Sequence, residues 1–227
     1  LDGQTGHARW HHALAYTERV DAGQPLFTTD TVYVVLHLGG ETQPSAVVLA
    51  LALADGHLRW QYAASGVNNL YLMLANNLLL VGERAFFINP IHVLTLAALA
   101  AGSGVARWTY THFAENMYPV GVQGGTLIIH DGTTVALNLA NGTLRWRGPV
   151  YGINTDECLG NGVVYASAYN PEPTPQPTPT TVGSDAGVVA YRLSDGAQFW
   201  RRDLLPDRFV VPLACADGSV LVSALDT

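Results

Sequence analysis

Lysine is absent: all eleven basic residues of this 227-residue chain are arginine, set against eighteen Asp and Glu for a formal net charge of −7. Charged side chains make up only 13%, about half the ~25% of an ordinary soluble domain. With an acidic balance and no basic cluster, the chain lacks the electrostatic footprint of a nucleic-acid or anionic-membrane partner. Long apolar runs are missing too. The longest, AVVLALALA from Ala46, stops at Asp55, well short of the ~18–20 residues a membrane-spanning helix needs. No segment keeps helical periodicity, since AALAA before Gly102 is too short. Catalytic signatures are equally scarce. No G-x-S-x-G nucleophile motif occurs, the GSG at Gly102 reads as a turn, and no glycine-rich loop precedes a helix to cradle a phosphate. The eight histidines scatter: His7 and His11 share a strand face with His12 opposite, no third ligand stands at metal spacing, and no metal site is expected. Leu1 in place of Met, followed by the turn-like Asp2-Gly3, reads as a chain that has lost a leader or was cut from something longer. What remains is a 48% hydrophobic composition, enough for a large core and far too apolar for disorder.

Repetition organises that composition. The tryptophans Trp10, Trp60, Trp108, Trp146 and Trp200 are spaced 50, 48, 38 and 54 residues apart. Each has a glycine four residues earlier: Gly6, Gly56, Gly104, Gly142 and Gly196. An alanine stands ten residues before four of them, as Ala50, Ala98, Ala136 and Ala190, and Arg precedes all but Trp200. His7 and His57 hold equivalent places three before a Trp and read as outer-strand residues of the repeat. Each unit reads as four short strands; the third runs PVGV, QGG, TLIIH, DG, TTVALNL, ANG, TLRWR. Gly and Asn turns between Val, Leu, Ile and Tyr runs are hairpin signals, because those residues accept positive φ cheaply. Four-stranded units of about 40–50 residues predict an all-β chain of stacked blades, a β-propeller, and exclude leucine-rich and ankyrin solenoids.

The spacing around each Trp resembles the tryptophan-docking motif of pyrroloquinoline-quinone-type propeller repeats, close to A-x-D-x-x-T-G-x-x-x-W. LDGQTGHARW matches everything after the Ala, while ALNLANGTLRW and AYRLSDGAQFW match with substitutions. In this reading Gly leaves room for an indole to lie flat on a backbone, Ala keeps the facing strand close, and each Trp bridges neighbouring blades. The expected organisation is one propeller domain over 1–227. Residues 1–12 supply the outermost strand of an incomplete blade, 24–62, 71–110, 118–148 and 156–202 are full blades, and 208–227 is the inner hairpin of the incomplete one. That makes about five blade-equivalents. The two half-units invite closure into a five-bladed ring, the arrangement favoured for the isolated chain. Longer relatives of the repeat imply a slice of a seven- or eight-bladed parent, with open edges available for self-association.

Strand order places the loops that leave strand D and strand B on one end of the blades, where Tyr16, Glu18, Asn68, Asn69, His112, Phe113, Glu115, Asn116, Tyr118, Tyr151, Asn154, Asp156 and Glu157 form a candidate binding face. The stretch NPEPTPQPTPTT, Asn170 to Thr181, reads as an extended surface insertion, and NGT at Asn141 reads as a turn rather than a glycosylation site. Cys158 and Cys215 each precede a valine by five residues, the slot of Leu26, Met73 and Gly121 elsewhere. That slot reads as inner-strand core with neighbouring strands farther apart than the ~7 Å a disulfide tolerates, so two free thiols are expected. The resemblance implies a bacterial, extracytoplasmic protein, and the same repeat serves dehydrogenases, outer-membrane assembly scaffolds and sensor ectodomains. A non-catalytic scaffold or sensor that binds a protein, peptide or glycan, with no cofactor, is the expected function. The alternative is a fragment of a quinone- and calcium-dependent dehydrogenase with Asn154, Asp156 and Glu157 as cation ligands. Against it, the adjacent cysteines that such enzymes carry are missing and every Trp is committed to docking.

Overall fold

Three hairpins turn on two residues that both hold positive φ: Asn76-Asn77 (47° and 62°), Gly124-Gly125 (56° and 73°) and Asn161-Gly162 (51° and 76°). This is the geometry whose twist matches a right-twisted strand pair, and it sets the register of each inner hairpin. The computed structural model describes residues 2–13, 20–38, 45–65, 69–84, 92–114, 116–149, 157–170, 185–206, 208–216 and 218–226. Among them no helix occurs.

The first sheet holds β1 (Val20–Ala22), β2 (Leu26–Phe27), β3 (Thr31–Leu38), β4 (Ser45–Ala52) and β5 (Leu58–Ser65). Its inner strand is split, so β1 and β2 both pair with β3. The second sheet is β6 (Asn69–Ala75), β7 (Leu78–Arg84), β8 (His92–Ala100) and β9 (Ala106–Ala114); the third is β10 (Tyr118–Gln123), β11 (Thr126–His130), β12 (Thr134–Asn138) and β13 (Leu144–Arg147). The fourth is β14 (Glu157–Gly160), β15 (Val163–Asn170), β16 (Asp185–Arg192) and β17 (Gln198–Pro206), and a hairpin of β18 (Arg208–Ala216) and β19 (Ser219–Asp226) follows. Strands are ordered as in the sequence within the last four sheets. Residues 2–13 form a turn and carry Trp10 without joining a sheet of the described residues. The chain divides into two compact units, Leu1–Thr111 and His112–Thr227.

Within each unit the docking is visible atom by atom. Trp10 donates its indole N–H to the Leu53 carbonyl at 2.9 Å, Trp60 to Ala101 at 2.9 Å and Trp146 to Leu193 at 2.8 Å. Each acceptor lies seven residues before the next tryptophan. The ring lies over the following unit's glycine: a Cβ at Gly104 would stand 2.7 Å from the Trp60 ring, and one at Gly196 2.7 Å from the Trp146 ring. Both glycines also hold φ near 70° and close their turn on the carbonyl four residues back at 2.8 Å. Glycine is thus required twice, for conformation and for contact. Asp55 and Asp195 brace the Gly56 and Gly196 turns: backbone N–H groups of His57 and Ala197 hold their carboxyls below the ordinary aspartate range. Across the blade, Ala50, Ala136 and Ala190 lie directly opposite Trp60, Trp146 and Trp200, each next to a β-bulge. The core is interblade. Ile128, Ala136 and Trp146 of the third sheet pack on Val164, Ala166, Val189 and Tyr191 of the fourth.

The cysteines differ from expectation: Cys158 and Cys215 form a disulfide, with Cα atoms 5.9 Å apart. The equal spacing to a valine misaligned them. Counted from the hairpin turn, Cys158 stands two residues before the last residue of β14, while Cys215 stands one before the end of β18. A one-residue offset on a pleated strand reverses the side-chain direction. Cys158 therefore faces forward, with Val163 and Tyr165, and Cys215 faces back towards it, with Val220 and Val222. The strands approach closely because Gly160 has no side chain; a Cβ there would lie 3.2 Å from Cys215 Cβ.

Candidate binding face

Of the predicted loop residues, Asn69, His112, Phe113, Asn116, Tyr118 and Glu157 are described, whereas Tyr16, Glu18, Asn68, Glu115, Tyr151, Asn154, Asp156 and residues 171–181 of the proline-rich insertion lie outside the described residues. Asn69 opens β6, and its Oδ1 lies 2.9 Å from His37 Nε2 of β3, linking the first two sheets. Phe113 is 66% exposed near the end of β9. Asn116 is half-buried, with an Oδ1 that has no hydrogen-bond partner.

Glu157 turns inward. It begins β14, its side chain is fully buried, and Oε1 accepts from His130 Nδ1 at 2.9 Å and from the Thr134 hydroxyl at 3.1 Å. The His130 ring stacks on Tyr118, its cross-strand partner, with centroids 5.0 Å apart. One residue on, the buried Asp131 receives both terminal nitrogens of Arg147, at 2.7 and 2.8 Å, while His112 Nδ1 stands 3.3 Å away. Asp131 caps the tight turn between β11 and β12, where its N–H donates to the Thr133 carbonyl and Gly132 holds a φ of 87°. Two buried carboxylates are thus matched by a guanidinium, an imidazole and a hydroxyl, as burial of charge requires. Chemically the cluster is a platform. Glu157 Oε1 and both Asp131 oxygens are engaged within the chain. Among the described residues no three His, Cys, Asp or Glu side chains stand together as a cation site.

His130, Asp131, Thr133, Thr134 and Arg147 were not among the predicted residues. Asp-Gly-Thr between two apolar strands reads as an ordinary turn, and only the blade-to-blade packing brings Glu157 against His130. Replacing Glu157 with Leu is expected to cost about 1–3 kcal/mol, because the His130 and Thr134 donors lose their buried acceptor; urea denaturation measures it.

A third buried carboxylate lies near the end of β7 in the second blade. Glu83 accepts the Thr95 N–H at 2.6 Å, and burial pushes its pKa above the ordinary glutamate value. Burial likewise raises Tyr62, with the Glu83 charge adding to it. Because the folded chain holds this proton more tightly than the unfolded chain, stability falls as pH rises from the unfolded value near ~4.3 through the folded one. Glu83→Gln keeps an acceptor for Thr95 and carries no charge. It is expected to match the wild type in acid, to become progressively more stable than it across that window and to keep that lead above it, as thermal melts across pH will read.

Four-stranded antiparallel blades joined by indole docking define a β-propeller protein built of quinone-type repeats. The chain belongs to the family described as outer membrane protein assembly factor BamB, whose model matches residues 1–202. Among solved structures it is similar to BamB from Moraxella catarrhalis, at 19% identity and a TM-score of 0.56 over 100% of this chain and 69% of that one. It is also similar to a quinohemoprotein alcohol dehydrogenase from Pseudomonas putida, at 15% identity and a TM-score of 0.54 over 96% of this chain and 40% of that one. Identities this low speak for the fold alone. No protein of curated function matches the chain in sequence.

Proposed function

We propose that this chain is a non-catalytic, extracytoplasmic scaffold that binds protein through the loop end of its blades. The observation that carries this reading is the match of residues 1–202 to a family described as an outer-membrane assembly factor. Two features support it. The buried carboxylates at the loop end are held by Arg147, His130 and Thr134 in a rigid base rather than aimed at a substrate. The Cys158–Cys215 disulfide suits an oxidising compartment outside the cytoplasm. Binding energy then comes from loop aromatic and amide groups, with Tyr151 and Glu115 in central roles.

The test is cross-linking of the chain in envelope preparations, followed by identification of the captured proteins. Tyr151→Ala with Glu115→Ala is expected to lose a specific outer-membrane partner while melting as the wild type does. Equal capture by both proteins would overturn the loop-face assignment. Saturable binding of pyrroloquinoline quinone in the presence of Ca²⁺, followed by its absorbance, would overturn the non-catalytic reading itself.

A further inference from the structure

The arginine that precedes the tryptophan has a fixed partner in two of the blades. In the first, Arg59 Nη1 donates to the Asp30 carboxylate and to the Thr31 hydroxyl, both at 2.7 Å. In the third, Arg145 Nη1 donates to the Thr126 hydroxyl at 2.8 Å. Thr31 and Thr126 hold the same place, at the start of β3 and of β11.

The second blade keeps the arginine and lacks both acceptors. One backbone hydrogen bond aligns the three blades. The N–H groups of Leu53, Ala101 and Leu139 donate to the carbonyls of Asp30, Asn77 and Gly125, at 2.8, 2.9 and 3.0 Å. Asn77 therefore stands where the first blade has Asp30, and Leu78, which starts β7, where it has Thr31. An amide and an alkyl group replace the carboxylate and the hydroxyl. Arg107 is exposed and makes no hydrogen bond or ion pair among the described residues.

The same alignment shows an independent change. Ala101 fills the position that Leu53, Leu139 and Leu193 hold in the other blades, and bulk is lost there. Beside it opens a pocket of about 440 Å³, bordered by Arg107, Asn76, Asn77, Leu78, Ala101 and Ser103. Asn76 and Asn77, held at φ of 47° and 62°, are exposed, and so is Ser103. Their side chains are likewise uncommitted among the described residues. Loss of the internal acceptors and loss of bulk thus coincide in one blade.

We infer that this pocket binds a carboxylate of an acidic peptide segment, with Arg107 making the charge-assisted bond that Arg59 makes to Asp30. Arg107 is the one cation among the residues that border the pocket, which matches a singly charged carboxylate better than a phosphate group. The amides of Asn76 and Asn77 and the Ser103 hydroxyl offer both donors and acceptors to the peptide backbone beside it. The two turns that build the pocket lie at the end of the blade opposite the loop face, so this site stands apart from the loop-end reading above.

Isothermal titration calorimetry at low salt tests this on the whole chain, with an end-blocked peptide of alternating glycine and glutamate as the probe. The wild type is expected to bind it saturably, and to bind the glutamine version about tenfold more weakly, the worth of one hydrogen bond to a charged group. Arg107→Gln is expected to show the same loss. Asn77→Asp with Leu78→Thr gives Arg107 the partners that Arg59 has, and is expected to abolish binding with the arginine still in place. Ala101→Leu fills the pocket and is expected to weaken binding to a similar degree. Arg59→Gln, by contrast, leaves the affinity unchanged, and circular dichroism shows that each variant folds. Absence of saturable binding, equal binding of the two peptides, or an Arg107→Gln chain that binds as the wild type does would each overturn the inference. So would binding that survives both the paired substitution and Ala101→Leu, an equal loss in Arg59→Gln, or inorganic phosphate binding more tightly than the peptide.

Discussion

Replacing Trp146 with alanine is expected to destabilise the protein by about 3–5 kcal/mol, the loss typical of a large aromatic removed from a core. The residue is only 8% exposed and belongs to the cluster that holds the third and fourth sheets together. Its removal opens a void against Tyr191 and Ala136 and strands the Leu193 carbonyl, which now accepts the indole N–H at 2.8 Å. Through this ring the third sheet meets the Gly196 turn of the fourth, which presents bare backbone to it. Trp146→Phe, which keeps much of the area and loses the donor, is expected to fall between the two. Trp200→Ala supplies the contrast: that indole is 41% exposed, so its loss should cost far less. Denaturant midpoints for the three variants decide the matter, and an unchanged midpoint for Trp146→Ala would remove the bridging role.

Cleaving the Cys158–Cys215 disulfide is the second large effect. The two residues are 57 apart in sequence, and closing a loop of that length stabilises the folded chain by about 4 kcal/mol in the chain-entropy treatment. The loss is expected to be local. A two-stranded hairpin is marginal alone, and β18–β19 relies on the disulfide together with packing of Val220 and Val222 against Tyr165 and Val188. Reduction, or Cys158→Ala with Cys215→Ala, should therefore raise amide exchange throughout β18–β19 while β10–β13 stay protected. Equal exchange in both forms would show that apolar packing alone retains the hairpin.

Much of the fold was legible because its signals are local. Asn-Gly and Gly-Gly dipeptides mark turns by their tolerance of positive φ, and Gly6, Gly56, Gly104, Gly142 and Gly196 all adopt it. The Ala–Trp offset of ten encodes a cross-strand pair, realised as Ala50 opposite Trp60 and Ala136 opposite Trp146. The cysteines show where local counting fails. A spacing measured to a valine ignored the turn from which pleating is reckoned, and that one-residue error turned two partners into unrelated core residues. The polar platform was half legible: His112, Tyr118 and Glu157 were expected at the loop end, while His130, Asp131 and Arg147 resembled strand and turn residues of no special kind.

The division has a physical basis. Strand identity, turn type and the docking repeat depend on residues within about ten positions of one another, where backbone sterics and alternation act directly, and the amino-acid sequence determined them unaided. The disulfide and the inward turn of Glu157 onto His130 depend on which faces of successive blades meet. That is set by the packing of residues some 27 to 57 positions apart, and only the tertiary structure decided it.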